Sequence, residues 1–331
     1  MANTKQKYLY LSALLRAREA KMLSREKAER MLDAASYEEA AKLLTDCGYR
    51  DMSEMGAKEV EAVLNERRAS EFSELARMAP DEALVDVFRM KYDYHNAKTL
   101  IKAEAEGIDR DDLLNGAGRV SPQALKTAMQ EEKFLSVPAV LADAMQDAKV
   151  TLARTGNPQL ADFILDRAYF EELFRDAKKL DSKFLKGYAQ TMIDAANLRS
   201  AVRTLRMKKD ADFLRTALIP GGTVAIERLI LASTTGEGLA SLYANTILET
   251  AANLGAAAAN GGAMTKFELA CDNAVTAYLT NARLVAFGEE PVIAYLAALE
   301  GEITTVRMIL TGRLAGIAPE VIRERLRDLD A

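Results

Sequence analysis

A short polar phrase recurs three times in this sequence, and it constrains the fold more than any other feature. It reads acid, two residues, amide or hydroxyl, apolar residue, base, and each copy lies where apolar residues follow helical spacing. The copies contain Asp93, Asn96 and Lys98; Asp194, Asn197 and Arg199; and Glu302, Thr305 and Arg307. The recurrence predicts that one helical design is used three times along the chain.

The segments around each copy recur as well. A long amphipathic helix is predicted before each copy, beginning near Glu61, Asp166 and Glu268, and a glycine-containing turn with a new helix follows each copy. Anchors for these new helices at Ser24, Ser121, Thr223 and Ala318 are separated by 97, 102 and 95 residues. We therefore expect three divergent helical repeats of about 100 residues in a closed or semi-closed threefold arrangement. The predicted units are 1–118, including an N-terminal helix, 119–220, and 221–331 with a closing C-terminal helix.

The remaining local patterns predict an all-α fold. Apolar residues recur at three- and four-residue steps, and strand-like alternation is scarce. Ser36 with Glu39 and Thr265 with Glu268 are predicted capping boxes. The pairs Ser121-Pro122, Asn157-Pro158, Glu290-Pro291 and Ala318-Pro319 are predicted to be a cap residue followed by a first-turn proline.

The recurring acid and amide lie on the same side of the helix as apolar residues. Asp194 and Asn197 share that side with Ile193 and Ala201, so both are expected to be buried and to need partners. One interpretation is structural, with hydrogen bonds that fix the register of a neighbouring helix, and we favour it. The other is a shared surface that contacts a partner protein. The sequence is compatible with both.

Charge and composition exclude several classes of protein. The 331-residue chain has a formal net charge of -5, which argues against general nucleic-acid binding because that requires a dense basic surface. Residues 1–30 are locally basic, with eight Lys or Arg against three Glu; we interpret them as a solvated helix rather than a targeting peptide. Cys47 and Cys271 are expected to be buried thiols in a reducing compartment. No membrane span is predicted.

No pattern in the sequence predicts an active site, a metal site or a cofactor. His95 has no metal-ligand companion and is interpreted as a packing or surface residue. The acids Asp109, Asp111 and Asp112 are interpreted as a helix start, although magnesium binding is an alternative. Glu171 and Glu172 are expected to be exposed helical charges. The chain is therefore expected not to be an enzyme.

Several stretches resemble the C subunit of the V-type and archaeal-type rotary ATPases, whose eukaryotic counterpart is the d subunit. YLYLSALLRAREAKML at 8–23 resembles the N-terminal helix of that family, with Arg16 and Arg18 matching its paired arginines. LLTDCGYRDM at 43–52, the phrases at 93–98 and 194–199, and residues 289–317 are similar to further landmarks in the same order. In the third phrase, Glu302 and Thr305 stand where the other two have Asp and Asn.

The resemblance implies a funnel-like, pseudo-threefold all-α protein with no catalytic role. Members of this family sit on the cytoplasmic end of the membrane proteolipid ring and receive the rotor shaft. The implied function is a central-stalk component that links ATP synthesis or hydrolysis to proton or sodium translocation. The alternatives are a helical scaffold that binds other proteins and, least favoured, a magnesium-dependent enzyme using Asp109, Asp111 and Asp112.

Overall fold

The computed structural model describes residues 2–233 and 236–327, and within these ranges it contains α-helices, short 3-10 turns and no β-strand. The first helices are α1 (Ala2–Lys7), α2 (Leu9–Glu19), α3 (Arg25–Asp33), α4 (Tyr37–Lys42), α5 (Ala57–Met78) and α6 (Glu82–Glu106). They are followed by α7 (Pro122–Glu131), α8 (Ala139–Thr155), α9 (Pro158–Lys179), α10 (Lys183–Arg206) and α11 (Ala211–Ala217). The last are α12 (Ile226–Ala232), α13 (Gly236–Leu242), α14 (Glu249–Ala259), α15 (Met264–Thr280), α16 (Glu290–Leu314) and α17 (Pro319–Arg323). The all-α prediction is confirmed.

The chain forms two compact units. The first comprises Met1–Val85 and Asp272–Ala331, and the second comprises Asp86–Cys271. Both boundaries lie inside helices, one in α6 and the other in α15. The first unit therefore brings together segments from the beginning and the end of the sequence.

Helix α16 is the centre of the first unit. It packs against α2, α3, α4 and α5, and most of its residues are buried, including Ile303, Val306 and Ile309. A helix that is apolar on nearly all sides belongs in a protein core, because each exposed apolar face would cost free energy in water. The N-terminal helices thus cover a helix that begins almost 300 residues later.

Helix α10 has the corresponding place in the second unit. It packs against α9, α11 and α14, while α8 packs along α9 and α13 along α14. Gly255 of α14 allows a close approach, since an added Cβ would lie 2.8 Å from Val202 Cγ2 and 3.1 Å from Phe267 Cε2. Small residues in α14 therefore bring it against α10 without a gap.

Most predicted helix starts are confirmed, but three are corrected. Ser121 and Asn157 cap α7 and α9, with their side chains accepting the amide hydrogens of Ala124 and Gln159. At the second capping box the prediction is wrong, because α15 begins at Met264 and Thr265 is already helical. Helix α16 begins at Glu290, one residue earlier than predicted.

The first capping box and one repeat anchor differ in detail. Ser36 Oγ accepts the Glu39 amide as predicted, whereas Glu39 Oε2 accepts the Ala35 amide instead of the amide of the cap residue. The predicted anchor at Thr223 is also displaced, because the N-cap of α12 is Ala225. Thr223 instead contacts Asp194.

Candidate functional site

The nine phrase residues lie in the three long helices α6, α10 and α16. Within each copy, some of the residues are buried and one is partly exposed. The acid and the amide or hydroxyl are buried in every copy, as expected: Asp93 and Asn96, Asp194 and Asn197, Glu302 and Thr305. The bases Lys98, Arg199 and Arg307 are partly exposed. We call the groups around Asp93, Asp194 and Glu302 the first, second and third acid clusters.

In each cluster the acid accepts a backbone amide hydrogen just before the start of a short helix. Asp93 Oδ1 accepts from Val120 N at 3.1 Å, and Asp194 Oδ1 accepts from Val224 N at 3.3 Å. Glu302 Oε2 accepts from Leu23 N at 2.7 Å. Each of these amides precedes the N-cap of its helix, namely Ser121, Ala225 and Ser24. A buried carboxylate thus satisfies a backbone amide beside each helix start.

The amide of the phrase holds the same segment at a second point. Asn96 donates to Asn115 O at 2.9 Å and accepts from Asn115 N at 2.8 Å. Asn197 makes the same pair of bonds with Ile219, both at 2.8 Å. In both cases the backbone residue lies five positions before the amide held by the acid. Two adjacent side chains therefore fix the path of one connecting segment.

The base of each phrase pairs with an acid on another long helix. Lys98 lies 2.5 Å from Asp166 of α9, and Arg199 lies 2.7 Å from Glu268 of α15. Arg307 binds Glu61 of α5 through two bonds of 2.7 and 2.8 Å. These three acids are the residues near which the sequence predicted the preceding helices. The pairs are partly exposed, so each contributes under about 1 kcal/mol.

The three clusters compensate their buried acids differently. In the first cluster Arg119 binds Asp93 at 2.6 Å and Glu172 at 3.0 Å, and Tyr94 donates to Glu172 at 2.8 Å. Glu172 is therefore buried, and its predicted exposure is wrong. A buried carboxylate persists here because a guanidinium and a phenol bind it.

The third cluster takes its donors from the N-terminal segment. Tyr49 donates its hydroxyl hydrogen to Glu302 Oε1 at 2.7 Å, and Arg67 lies 3.1 Å from the same oxygen. The Arg67 guanidinium also lies 4.0 Å from the centre of the Tyr49 ring. Burial and the Glu302 carboxylate raise the pKa of Tyr49 far above its usual range, so the phenol keeps its proton and remains a donor.

The second cluster has hydroxyl and amide donors around its carboxylate. Asp194 Oδ2 accepts from the Thr223 hydroxyl and from Thr223 N, the latter at 3.0 Å. Burial raises the pKa of Asp194, and the hydrogen bonds from Thr223 and Val224 partly oppose that rise. Burial raises the pKa of Asp93 too, but there the Arg119 charge is the main opposing influence.

Glycine allows the connecting segment to pass directly over the two aspartates. A Cβ added at Gly118 would lie 2.3 Å from Asp93 Oδ1, and one at Gly222 would lie 2.1 Å from Asp194 Oδ1. Each glycine lies two residues before the amide that the acid holds, and Lys21 occupies that place in the third cluster. Glutamate is one methylene longer than aspartate, and Glu302 Oε2 accepts from Leu23 N at 2.7 Å.

The other sequence candidates lie outside these clusters. Arg16 donates to Arg283 O at 3.0 Å and binds Glu19, while Arg18 lies 2.6 Å from Glu74. Both arginines therefore attach α2 to its own unit. His95 is exposed, with a ring nitrogen 3.0 Å from Leu113 O.

The exposed acids near residue 110 have a lysine as their partner. Lys126 Nζ lies 2.7 Å from Asp111 and 3.5 Å from Asp109. Within 2–233 and 236–327, no group of three or more His, Cys, Asp or Glu residues has a metal-binding arrangement. Cys47 and Cys271 are buried, as predicted.

Four residues that complete the clusters were not singled out from the sequence: Arg119, Tyr94, Tyr49 and Arg67. Arg119 stands in the same position as Thr223, directly before the held amide, so the alignment of the turns contains a usable signal for it. Tyr49 and Arg67 lie more than 230 positions from Glu302, and no local pattern connects them.

Comparison with known proteins assigns the chain to a family. The family model for the ATP synthase (C/AC39) subunit matches residues 11–325. The C subunit of the V-type sodium ATPase of Enterococcus hirae is 26% identical over 97% of this chain and 98% of its own length. The C subunit of the A-type ATP synthase of Haloferax volcanii is 25% identical over 96% of both chains. The C subunit of the V-type ATP synthase of Thermus thermophilus is 25% identical over 63% of this chain and 67% of its own length.

None of the described helices is long and apolar enough to cross a membrane. The family model covers nearly the whole chain, including all three copies of the phrase. This chain therefore belongs to the ATP synthase (C/AC39) subunit family.

Proposed function

We propose that this chain is the non-catalytic central-stalk subunit of a V/A-type rotary ATPase or ATP synthase. It would join the rotor shaft to the proteolipid ring at the cytoplasmic face of the membrane and transmit torque between ATP chemistry and ion translocation. Family membership and the near full-length similarity to the V-type and A-type C subunits support this role.

The order of partners along the chain is the observation that carries the proposal. The base of α6 pairs with α9, that of α10 pairs with α15, and that of α16 returns to α5. The acids follow the same cyclic order. Asp93 and Asp194 bind the connecting segments that follow them in the chain, before α7 and α12, whereas Glu302 binds the segment before α3. Each repeat thus holds its successor, and the last holds the first.

This cyclic order supports three helical repeats, 1–118, 119–220 and 221–331, related by a pseudo-threefold axis in a funnel-like body. A body of that kind suits partners that lie on a rotation axis, because its three repeats can engage them equivalently. The nine phrase residues would form its internal frame rather than its contact surface. Their hydrogen bonds and ion pairs are directed at the chain itself, which favours the structural interpretation of the phrase.

The direct test is co-elution of the purified chain with a detergent-solubilised proteolipid ring and, separately, with the rotor shaft. We expect one copy of the chain to bind each partner and to bridge them. Binding to neither, under conditions in which an established ring–stalk complex survives, would overturn the proposal and leave the helical scaffold as the leading function.

A further inference from the structure

The first unit is closed by contacts between the two ends of the chain. Helices α2, α3, α4 and α5 all pack against α16, and the whole of the second unit separates α5 from α16 in the sequence. We call the contacts between these four helices and α16 the seam. The backbone passes from one side of the seam to the other only through the second unit. The seam is therefore held by non-covalent contacts alone.

The third acid cluster lies in the seam. Glu302 of α16 binds Leu23, Tyr49 and Arg67, which all come from the N-terminal side. The groups that form the first and second acid clusters lie within 86–271, which is the second unit alone. Opening of the seam would therefore break the third cluster and leave the other two complete.

Charged side chains cross the seam at further points. Arg313 donates to Leu32 O at 2.8 Å, and Arg68 lies 3.5 Å from Glu300. The side chain of Arg68 is only 3% exposed, so its charge is removed from water when the seam closes. Desolvation of a charge costs free energy that its pairing returns only in part. The closed seam thus contains charged groups that water would solvate in an open form.

Buried polar atoms without a hydrogen-bond partner are concentrated on the helices of the seam, as far as the described residues show. They are Ser12 Oγ and Glu19 Oε1 on α2, Arg67 Nε on α5, and Glu290 Oε2 and Arg313 Nε on α16. In the described part of the second unit the corresponding atom is Asp162 Oδ1. Each such atom makes the closed form less stable, because water would satisfy it in an open form.

The seam also contains a cavity of about 490 Å³. Glu19 and Leu23 line it on the N-terminal side, and Ala297, Ala298 and Gly301 of α16 line it on the other side. A Cβ added at Gly301 would meet no atom within 4 Å. Atoms that line a cavity lose dispersion contacts, so the small residues of α16 leave the seam incompletely packed.

We propose that the seam is a latch: the first unit opens as one block, with α2 to α5 and α16 losing their packing together, while the second unit stays folded. The unsatisfied atoms, the cavity and the buried charges weaken the closed form at the seam. The limits of the block lie inside α6 and α15, near residues 85 and 272. A surface that binds only the closed first unit would hold the latch shut. The latch goes beyond the rotor role proposed above and does not depend on it.

The test is native-state hydrogen exchange of the full-length chain, read by mass spectrometry at increasing urea concentrations below the unfolding transition. We expect peptides of α2, α5 and α16 to share one opening equilibrium constant, at least about tenfold larger than that of α9 and α10. Its dependence on urea should be smaller than that of α9 and α10, because less surface becomes exposed. Within α15, peptides that follow residue 272 should exchange with α16, whereas peptides that precede it should stay protected with α10.

Matched substitutions of a phrase acid separate the two units. Glu302→Gln leaves the Arg67 charge without its carboxylate and should make opening of the first unit at least about tenfold more frequent. Asp93→Asn removes the corresponding charge from the second unit, where Asp93 binds Arg119 at 2.6 Å. It should make opening of α9 and α10 at least about tenfold more frequent, and it should leave α2 and α16 unchanged because the latch opens while the first cluster is intact. Gly301→Ala should make opening of the first unit up to about fivefold less frequent.

Three results would overturn the inference. One is an equal effect of Asp93→Asn on α2, α16, α9 and α10, which would make the chain a single cooperative unit. Another is exchange of α2 to α5 while α16 stays protected, which would mean that the N-terminal helices open singly. The third is more frequent opening of α9 and α10 than of α16 in the native chain. If Glu302→Gln keeps the first unit open throughout, continued protection of α9 and α10 would support the latch and its loss would contradict it. Binding to the ring or the shaft is a separate measurement, so failure of the latch and failure of the rotor role are distinguishable.

Discussion

Replacing Asn197 with leucine tests whether the recurring phrase is structural. The side chain of Asn197 is buried and makes two 2.8 Å hydrogen bonds, one to Ile219 N and one to Ile219 O. Leucine is similar in size and can make neither bond. Two buried backbone groups then lose their partners, and each costs about 1–3 kcal/mol, so we expect a loss of about 2–6 kcal/mol of unfolding free energy.

Urea unfolding followed by far-UV circular dichroism measures this loss, since the chain is helical and contains no tryptophan. Hydrogen exchange of peptides that contain Ile219 localises it, and we expect opening there to become at least about thirtyfold more frequent. Gln146→Leu is the matched control, because Gln146 is exposed on α8 and its replacement removes no buried bond. A loss below about 1 kcal/mol for Asn197→Leu, with impaired binding to the ring or shaft, would refute the structural interpretation and make the phrase an interface.

Three further outcomes follow from the clusters. Gly222→Ala should lower the free energy of unfolding in urea by about 1–3 kcal/mol, because its Cβ would lie 2.1 Å from Asp194 Oδ1. The control Gly301→Ala, which has open space around its Cβ, should raise that free energy by up to about 1 kcal/mol. Equal effects of the two substitutions would contradict the close approach at Gly222. Burial raises the folded-state pKa of Asp194 above 3.8. The stability that its protonated carboxyl group contributes is therefore fully present below pH 3.8 and is lost as the pH rises through the folded-state pKa. The free energy of unfolding of the native chain, relative to that of Asp194→Asn, should therefore fall as the pH rises from 3.8 through the folded-state pKa. Parallel pH profiles of the two proteins would contradict this prediction. A double-mutant cycle on Arg307 and Glu61 should give a coupling below about 1 kcal/mol, since both side chains are about one-third exposed; a coupling of several kcal/mol would show that the pair is stronger than its exposure allows.

The connecting segments differ between the copies of the phrase. Aspartate occurs where glycine lets the segment pass close by, at Gly118 and Gly222, whereas the copy with glutamate has Lys21 at that offset. Glu302 nevertheless accepts a hydrogen bond from a backbone amide, that of Leu23. A sequence comparison of the phrases alone registers a loss of equivalence, whereas the structure shows the same kind of bond in all three copies.

Two of the incorrect predictions share one physical cause. Thr265 and Glu268 have the spacing of a capping box, but Glu268 is used by Arg199 and the helix begins earlier. Glu172 has the appearance of a surface charge, but Arg119 and Tyr94 bind it in the interior. In each case a partner distant in sequence determined the environment, and a local pattern contains no information about that partner.

The sequence alone was sufficient for the helical content, the recurrence of the phrase and the burial of its acid and amide, because these depend on spacing along a single helix. It also placed Glu61, Asp166 and Glu268 at the right helices without naming them as partners of the bases. Only the tertiary structure decided which helix each base binds, that Glu302 holds Leu23, and how each buried acid is compensated. The reason is physical: helix periodicity is determined by neighbours three and four residues away, whereas the partner of a buried charge is determined by which segments the folded chain brings together.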